Sequence, residues 1–116
     1  MNIQRFKVGQ RLSKIAVHAG VAYLSGQVPQ DPSMDIEGQT RSVLQQIDNL
    51  LAEAGSDKSR ILQCQIFLAN IKDIDAMNIV WDAWVAADNA PPRATVEAKL
   101  GNPAWKIEIV LTAALS

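Results

Sequence analysis

A chain of 116 residues is near the commonest size for one folded unit, and 48% hydrophobic with 20% charged residues is ordinary for a globular domain, so a single domain over residues 1–116 is expected. A formal net charge of -1 without any Lys/Arg cluster leaves no electrostatic footprint for a nucleic-acid backbone or an anionic membrane, and neither is an expected partner. No apolar run reaches the roughly 20 residues of a membrane span, the N-terminus lacks a signal-peptide apolar core, and the lone Cys64 cannot form an internal disulfide, which together point to the reducing cytoplasm.

Residues 14–28 read as two strands with a turn at Ala19-Gly20, where glycine takes a positive φ cheaply. The second strand ends at Ser25-Gly26, and a glycine there lets other groups approach the backbone closely. Residues 29–35 form a loop by their prolines and acids. From about Gly38 to Ala54, Val43, Leu44, Ile47, Leu50, Leu51 and Ala54 recur at helical intervals, and Gly55 stops the helix. Residues 60–69 alternate through Leu62, Cys64, Ile66 and Leu68, an apolar strand suited to the middle of a sheet. A second helix starts at Asp73 or Asp75, whose carboxylate can accept the free N–H groups of the first turn, and runs to about Ala87. Met77, Val80, Trp81 and Trp84 form its buried stripe, with Asp82 and Asp88 outward, until Pro91 and Pro92 break it.

The stretches 90–100 and 106–110 read as a final pair of strands joined by a turn at Gly101-Asn102-Pro103-Ala104. Arg93, Thr95, Glu97 and Lys99 share one face of the first; Lys106, Glu108, Val110 and Thr112 share one face of the second. The order ββαβαββ describes an α+β domain, a mixed sheet covered on one face by two helices that serve as crossovers. The other face then needs covering, and burial against another subunit is the expected solution.

Arg93 at one strand's start and Glu108 inside the expected neighbour are the charged pair singled out for chemistry. Residue types alone favour the plainer reading, a cross-strand ion pair worth about 0.2 to 1 kcal/mol if exposed. Cys64 is a small buried hydrophobe rather than a nucleophile. His18 is a lone surface histidine without the further ligands a metal site needs, and no glycine-rich phosphate loop or serine-histidine-acid set is visible. No metal and no cofactor are expected. Trp81 and Trp84 read as packing residues rather than a base-stacking platform.

The pattern Pro92-Arg93-Ala94-Thr95-Val96, Leu100, then Lys106-Ile107-Glu108-Ile109, with Ser25-Gly26-Gln27-Val28-Pro29 near the N-terminus and Met77-Asn78 on the second helix, resembles the RidA (YjgF/YER057c/UK114, endoribonuclease L-PSP) family. It looks closest to the YoaB-like branch, given Phe67-Leu68-Ala69 and Met77-Asn78 followed by Trp81-Asp82-Ala83-Trp84-Val85. The resemblance implies a chorismate-mutase-like fold and a barrel-cored homotrimer with ligand clefts between subunits. It also implies a cofactor-independent hydrolase that converts reactive enamines or imines, such as 2-aminoacrylate, to a 2-oxo acid and ammonia. By the same resemblance Arg93 grips the substrate carboxylate, Glu108 orients the water, and Ser25, Gly26, Asn78 and Thr95 line the cleft.

The chemistry of those residue types agrees with the implied roles. A guanidinium offers a planar fork of donors matched to a carboxylate, and a glutamate within hydrogen-bond reach can position a water and take its proton. The chain departs from many family members in two places: Leu12 or Ser13 stands where an aromatic closes over the ligand, and Thr95 replaces a cysteine whose family contact is mainly through the backbone. The competing readings are a non-catalytic module that captures a 2-oxo acid or other small carboxylate, and an endoribonuclease or translation inhibitor. The acidic balance and missing basic stripe count against the last.

Overall fold

The computed structural model describes residues 2–116. Their elements are β1 (Gln4–Val8), β2 (Ser13–His18), β3 (Val21–Leu24), α1 (Ile36–Ala54), β4 (Ile61–Leu68), α2 (Ile74–Trp84), β5 (Arg93–Glu97) and β6 (Ile107–Ala114). One six-stranded sheet runs in the order β1-β2-β3-β6-β4-β5, with β4 and β5 parallel and every other neighbouring pair antiparallel. The α+β class, the mixed sheet and the helix-covered face are as the sequence predicts.

The β2–β3 hairpin has the expected two-residue turn. His18 stands opposite Val21, and Ala19 and Gly20 take φ of 51° and 79°, the doubly left-handed backbone whose twist matches the flanking strands. α1 begins two residues earlier than its apolar stripe suggests, because the Asp35 carboxylate accepts the Gly38 amide at 2.8 Å and caps the helix. Gly55, at φ 85°, ends it as expected.

Four expectations are corrected. An additional strand, β1, precedes the hairpin and pairs with β2, so the order is βββαβαββ. α2 ends at Trp84 rather than near Ala87, since Val85 turns to an extended ψ of 143°. Neither aspartate caps α2 through its side chain as expected; Asp73 stands at the cap without such a bond, and Asn70 caps the short turn before it by accepting the Lys72 amide at 3.0 Å.

The fourth correction bears on the site. β5 and β6 are not a hairpin. Gly101-Asn102-Pro103-Ala104 does turn the chain, but β6 then inserts between β3 and β4, leaving β5 on the sheet edge beyond β4. The insertion is held by Gln39, fully buried on α1. Its amide nitrogen donates to the carbonyls of Pro32, Met34 and Ala104, and its oxygen accepts the Lys106 amide at 2.7 Å. Every polar atom of this buried side chain is thus satisfied, and one residue ties the entry of β6 to the first helix.

The core lies between the helices and one face of the sheet. Ile15, Ile66, Leu68, Ile107, Ile109, Leu111 and Ala113 from the sheet meet Val43, Leu44, Ile47, Leu51, Met77 and Trp81 from the helices. Burying each large aliphatic side chain contributes about 1.5 to 3 kcal/mol, so this interface is what makes the chain fold. The opposite face carries Tyr23, Gln63, Gln65, Phe67, Val110 and Thr112, with Tyr23 47% exposed.

Candidate functional site

The six expected site residues fall into two groups on opposite faces of the sheet. Arg93 stands beside Cys64 in the parallel register, and Cys64 is buried under the helices, so Arg93 projects to the helix side. Glu108 stands beside Phe67 and alternates with the buried Ile107 and Ile109, so it projects from the open face. The ion pairs among the described residues, Lys7–Glu53, Arg41–Glu37 and Arg60–Asp57, involve neither. The cross-strand pair suggested by residue types does not form, because the strands that carry the two residues are separated by β4.

The first group is built on α2 and β5. Arg93 Nη1 donates to Asn78 Oδ1 at 2.9 Å, and its guanidinium carbon lies 5.1 Å from the centroid of the Trp81 ring. No carboxylate sits within ion-pair distance, so a half-buried guanidinium retains most of its donors and all of its charge. Its field also reaches Cys64. Burial pushes that thiol up to about 12 while the nearby Arg93 pulls the other way, and the side chain stays a neutral thiol, as expected for a core residue.

Thr95 belongs to the same strand, but its hydroxyl is buried without a hydrogen-bond partner. What it offers the exterior is backbone. The Cys64 amide donates to the Pro92 carbonyl and the Ala98 amide to the Leu68 carbonyl, so even-numbered residues of β5 turn their backbone groups toward β4. Arg93, Thr95 and Glu97 turn theirs to the free sheet edge. The Glu97 side chain is occupied, accepting the Ile71 amide at 3.0 Å.

The second group is built on β6 and the chain after β3. Tyr23 faces Thr112, whereas Gln27 faces Ile109 through a reciprocal pair of backbone bonds of 2.8 and 3.1 Å. Four steps on one strand therefore oppose three on the other, a β-bulge over Leu24-Ser25-Gly26 that brings Gly26 beside Glu108. A methyl group at Gly26 would collide with Glu108 Oε2, so glycine is required for the carboxylate to lie there. Gln27, buried, braces the bulge by donating to the Ser25 carbonyl at 3.0 Å and to Ser25 Oγ at 3.3 Å.

Sequence reasoning missed three contributors. Trp81 was expected only as packing, yet it also covers the Arg93 guanidinium. Gln27 lies within the Ser25–Pro29 motif but is given no role by it, Gln39 carries no motif, and it is their burial that marks both. The best-formed concavities of the single chain, a groove of about 430 Å³ between α1 and α2 and a hollow of about 250 Å³ on the open face, are lined by other residues than these six.

Comparison with known proteins agrees with the architecture. Residues 2–115 match the family model described as endoribonuclease L-PSP. A RutC family protein from Haemophilus ducreyi is 53% identical over 114 residues, covering 98% of this chain and 97% of its own. The RutC family protein YoaB of Escherichia coli is 45% identical over 115 residues, covering 99% of this chain and 100% of its own. A solved YjgF-family protein from Neisseria meningitidis superposes with a TM-score of 0.97 at 45% identity, covering 100% of this chain and 97% of that one. The chain therefore belongs to the RidA/YjgF family, whose model carries the description endoribonuclease L-PSP.

Proposed function

We propose that the protein is an imine deaminase that hydrolyses reactive 2-imino acids to 2-oxo acids and ammonia, in clefts between the subunits of a homotrimer. The observation that carries this reading is the division of the site. An uncompensated guanidinium lies on the helix side and a glutamate seated against glycine on the open side, an arrangement that supports a site shared between subunits.

In this reading Arg93 and the free Thr95 backbone amide hold the substrate carboxylate, with Asn78 beside them. Glu108 of the neighbouring subunit, next to Ser25 and Gly26, orients a water and accepts its proton as the oxygen bonds to the imine carbon. That proton passes to the nitrogen to give a carbinolamine; its hydroxyl proton then moves to the amino group, by way of the same carboxylate, as the carbon–nitrogen bond breaks and the carbonyl forms, and ammonia leaves a 2-oxo acid. One water is consumed and one ammonia released. Such general-base assistance contributes about 10²- to 10⁴-fold. Because 2-imino acids also hydrolyse spontaneously, positioning alone gives a useful acceleration.

The test is to generate 2-iminobutanoate or 2-aminoacrylate in situ and follow 2-oxo acid release. Wild type accelerates release, Arg93→Ala loses most of the effect, and Glu108→Gln lowers kcat by about 10²-fold or more. No acceleration by wild type, or full activity in Arg93→Ala, contradicts the assignment. The non-catalytic reading draws support from Leu12 or Ser13 standing where many family members carry an aromatic that closes over the ligand; Leu12 is 57% exposed. It predicts carboxylate binding that Arg93→Ala abolishes, with no turnover of any imine.

A further inference from the structure

Among the described residues, no carboxylate lies within ion-pair distance of Arg93. Asn78 Oδ1 accepts from one edge of the guanidinium at 2.9 Å, and the face of Trp81 lies 5.1 Å from its central carbon. Asn78 and Trp81 are three residues apart on α2, so they project from one side of the helix and approach the guanidinium together.

Trp81 is itself held in place. It is 5% exposed, and its ring centroid lies 5.4 Å from that of Trp84 at 51°. The Trp84 indole nitrogen donates to Asp48 Oδ2 on α1 at 3.0 Å, and Lys58 Nζ lies 5.3 Å from the Trp84 ring. The indole beneath Arg93 is thus fixed by a chain of contacts that crosses both helices.

We propose that Trp81 is a positioning residue for Arg93, its ring face holding the guanidinium by cation–π attraction so that the remaining N–H donors stay directed to a ligand carboxylate. The proposal rests on the reading of Arg93 as the carboxylate anchor. A carboxylate in this place would hold the guanidinium firmly but neutralise it, and an incoming anion would meet an ion pair instead of a free cation. The negative face of an aromatic ring orients the cation and leaves its charge uncompensated. Asn78 works in the same sense, supplying a neutral acceptor.

The test keeps the shape of the side chain and changes only its electron density. Tryptophans carrying one to four fluorines are incorporated at position 81 alone, and the affinity for pyruvate is measured with pyruvamide as the uncharged control. The pyruvate Kd rises stepwise with fluorination, about five- to tenfold across the series, while pyruvamide affinity and the melting temperature stay constant. Trp81→Phe weakens pyruvate binding in wild type and adds nothing in the Arg93→Ala background. A flat fluorine series, or a Trp81→Phe penalty equal in both backgrounds, overturns the role of Trp81 even though Arg93→Ala still loses pyruvate. If wild type and Arg93→Ala bind pyruvate equally, the anchor reading itself has failed and this proposal with it. Should Trp81→Phe not fold, the fluorinated series decides alone.

Discussion

Ile109 and Glu108 are adjacent on β6 and meet opposite surroundings. Ile109 points into the layer under α1 and α2, fully buried among residues that the same chain supplies. Glu108 points the other way, onto a face where Tyr23, Gln63, Gln65, Phe67, Val110 and Thr112 mix apolar and polar groups without a covering layer from this chain. The helix-covered face needs every contact to be complete, because it supplies the folding free energy. The open face carries a carboxylate against a bulged glycine, an arrangement that contributes little to stability and is the one the proposed function uses.

Three substitutions separate those roles. The largest effect belongs to the covered face. Gln39→Leu leaves the Lys106 amide and the Pro32, Met34 and Ala104 carbonyls short of their buried partner, and should cost about 3 kcal/mol in urea unfolding. A loss under about 1 kcal/mol would mean that β6 is held elsewhere.

Gly26→Ala should do the reverse. Its methyl group collides with the far end of the Glu108 side chain, not with backbone, so the carboxylate swings away while the fold persists. Imine hydrolysis should fall by about 10²-fold with a melting temperature close to that of wild type. Equal activity would show that the present Glu108 position is not the working one.

The last effect is absent at neutral pH and appears only in alkali. The Cys64 thiol, near 9 when unfolded, is pushed up to about 12 by burial, so its folded pKa is raised. The stability it confers is fully present below pH 9 and is lost as pH rises toward 12, because the unfolded chain releases a proton that the folded one keeps. Compared with Cys64→Ala, wild type should lose stability more steeply over that window in pH-dependent urea unfolding. Parallel slopes would mean that the thiol is solvated.

Much of this is legible in the residues, and the rest fails for identifiable reasons. α1 and β4 are readable because each buries one side against the core, and the period of Val43, Leu44, Ile47 and Leu51 or of Cys64, Ile66 and Leu68 reports that burial. β1 escapes because it is an edge strand in which only Phe6 is even half-buried, so no alternation marks it. The false hairpin has a different cause. Alternation tells which residues share a face but not which strand lies alongside, and the insertion of β6 next to β4 depends on the clamp from Gln39, 67 residues before Lys106. Arg93 and Glu108 are recognisable as residue types, and their resemblance to a family motif supplies the roles proposed for them. That they face opposite sides of the sheet follows only from the sheet order.

That opposition is the central claim in its sharpest form: one chain offers the guanidinium, another the carboxylate. It is tested by mixing Arg93→Ala and Glu108→Gln proteins, each strongly impaired alone, denaturing them together and refolding. If the halves come from different subunits, random assembly leaves about a quarter of the clefts with both residues intact, and imine hydrolysis returns to about that fraction of the wild-type rate. Activity that stays at the level of the two single variants, with mixed assembly verified by mass spectrometry, would contradict the account.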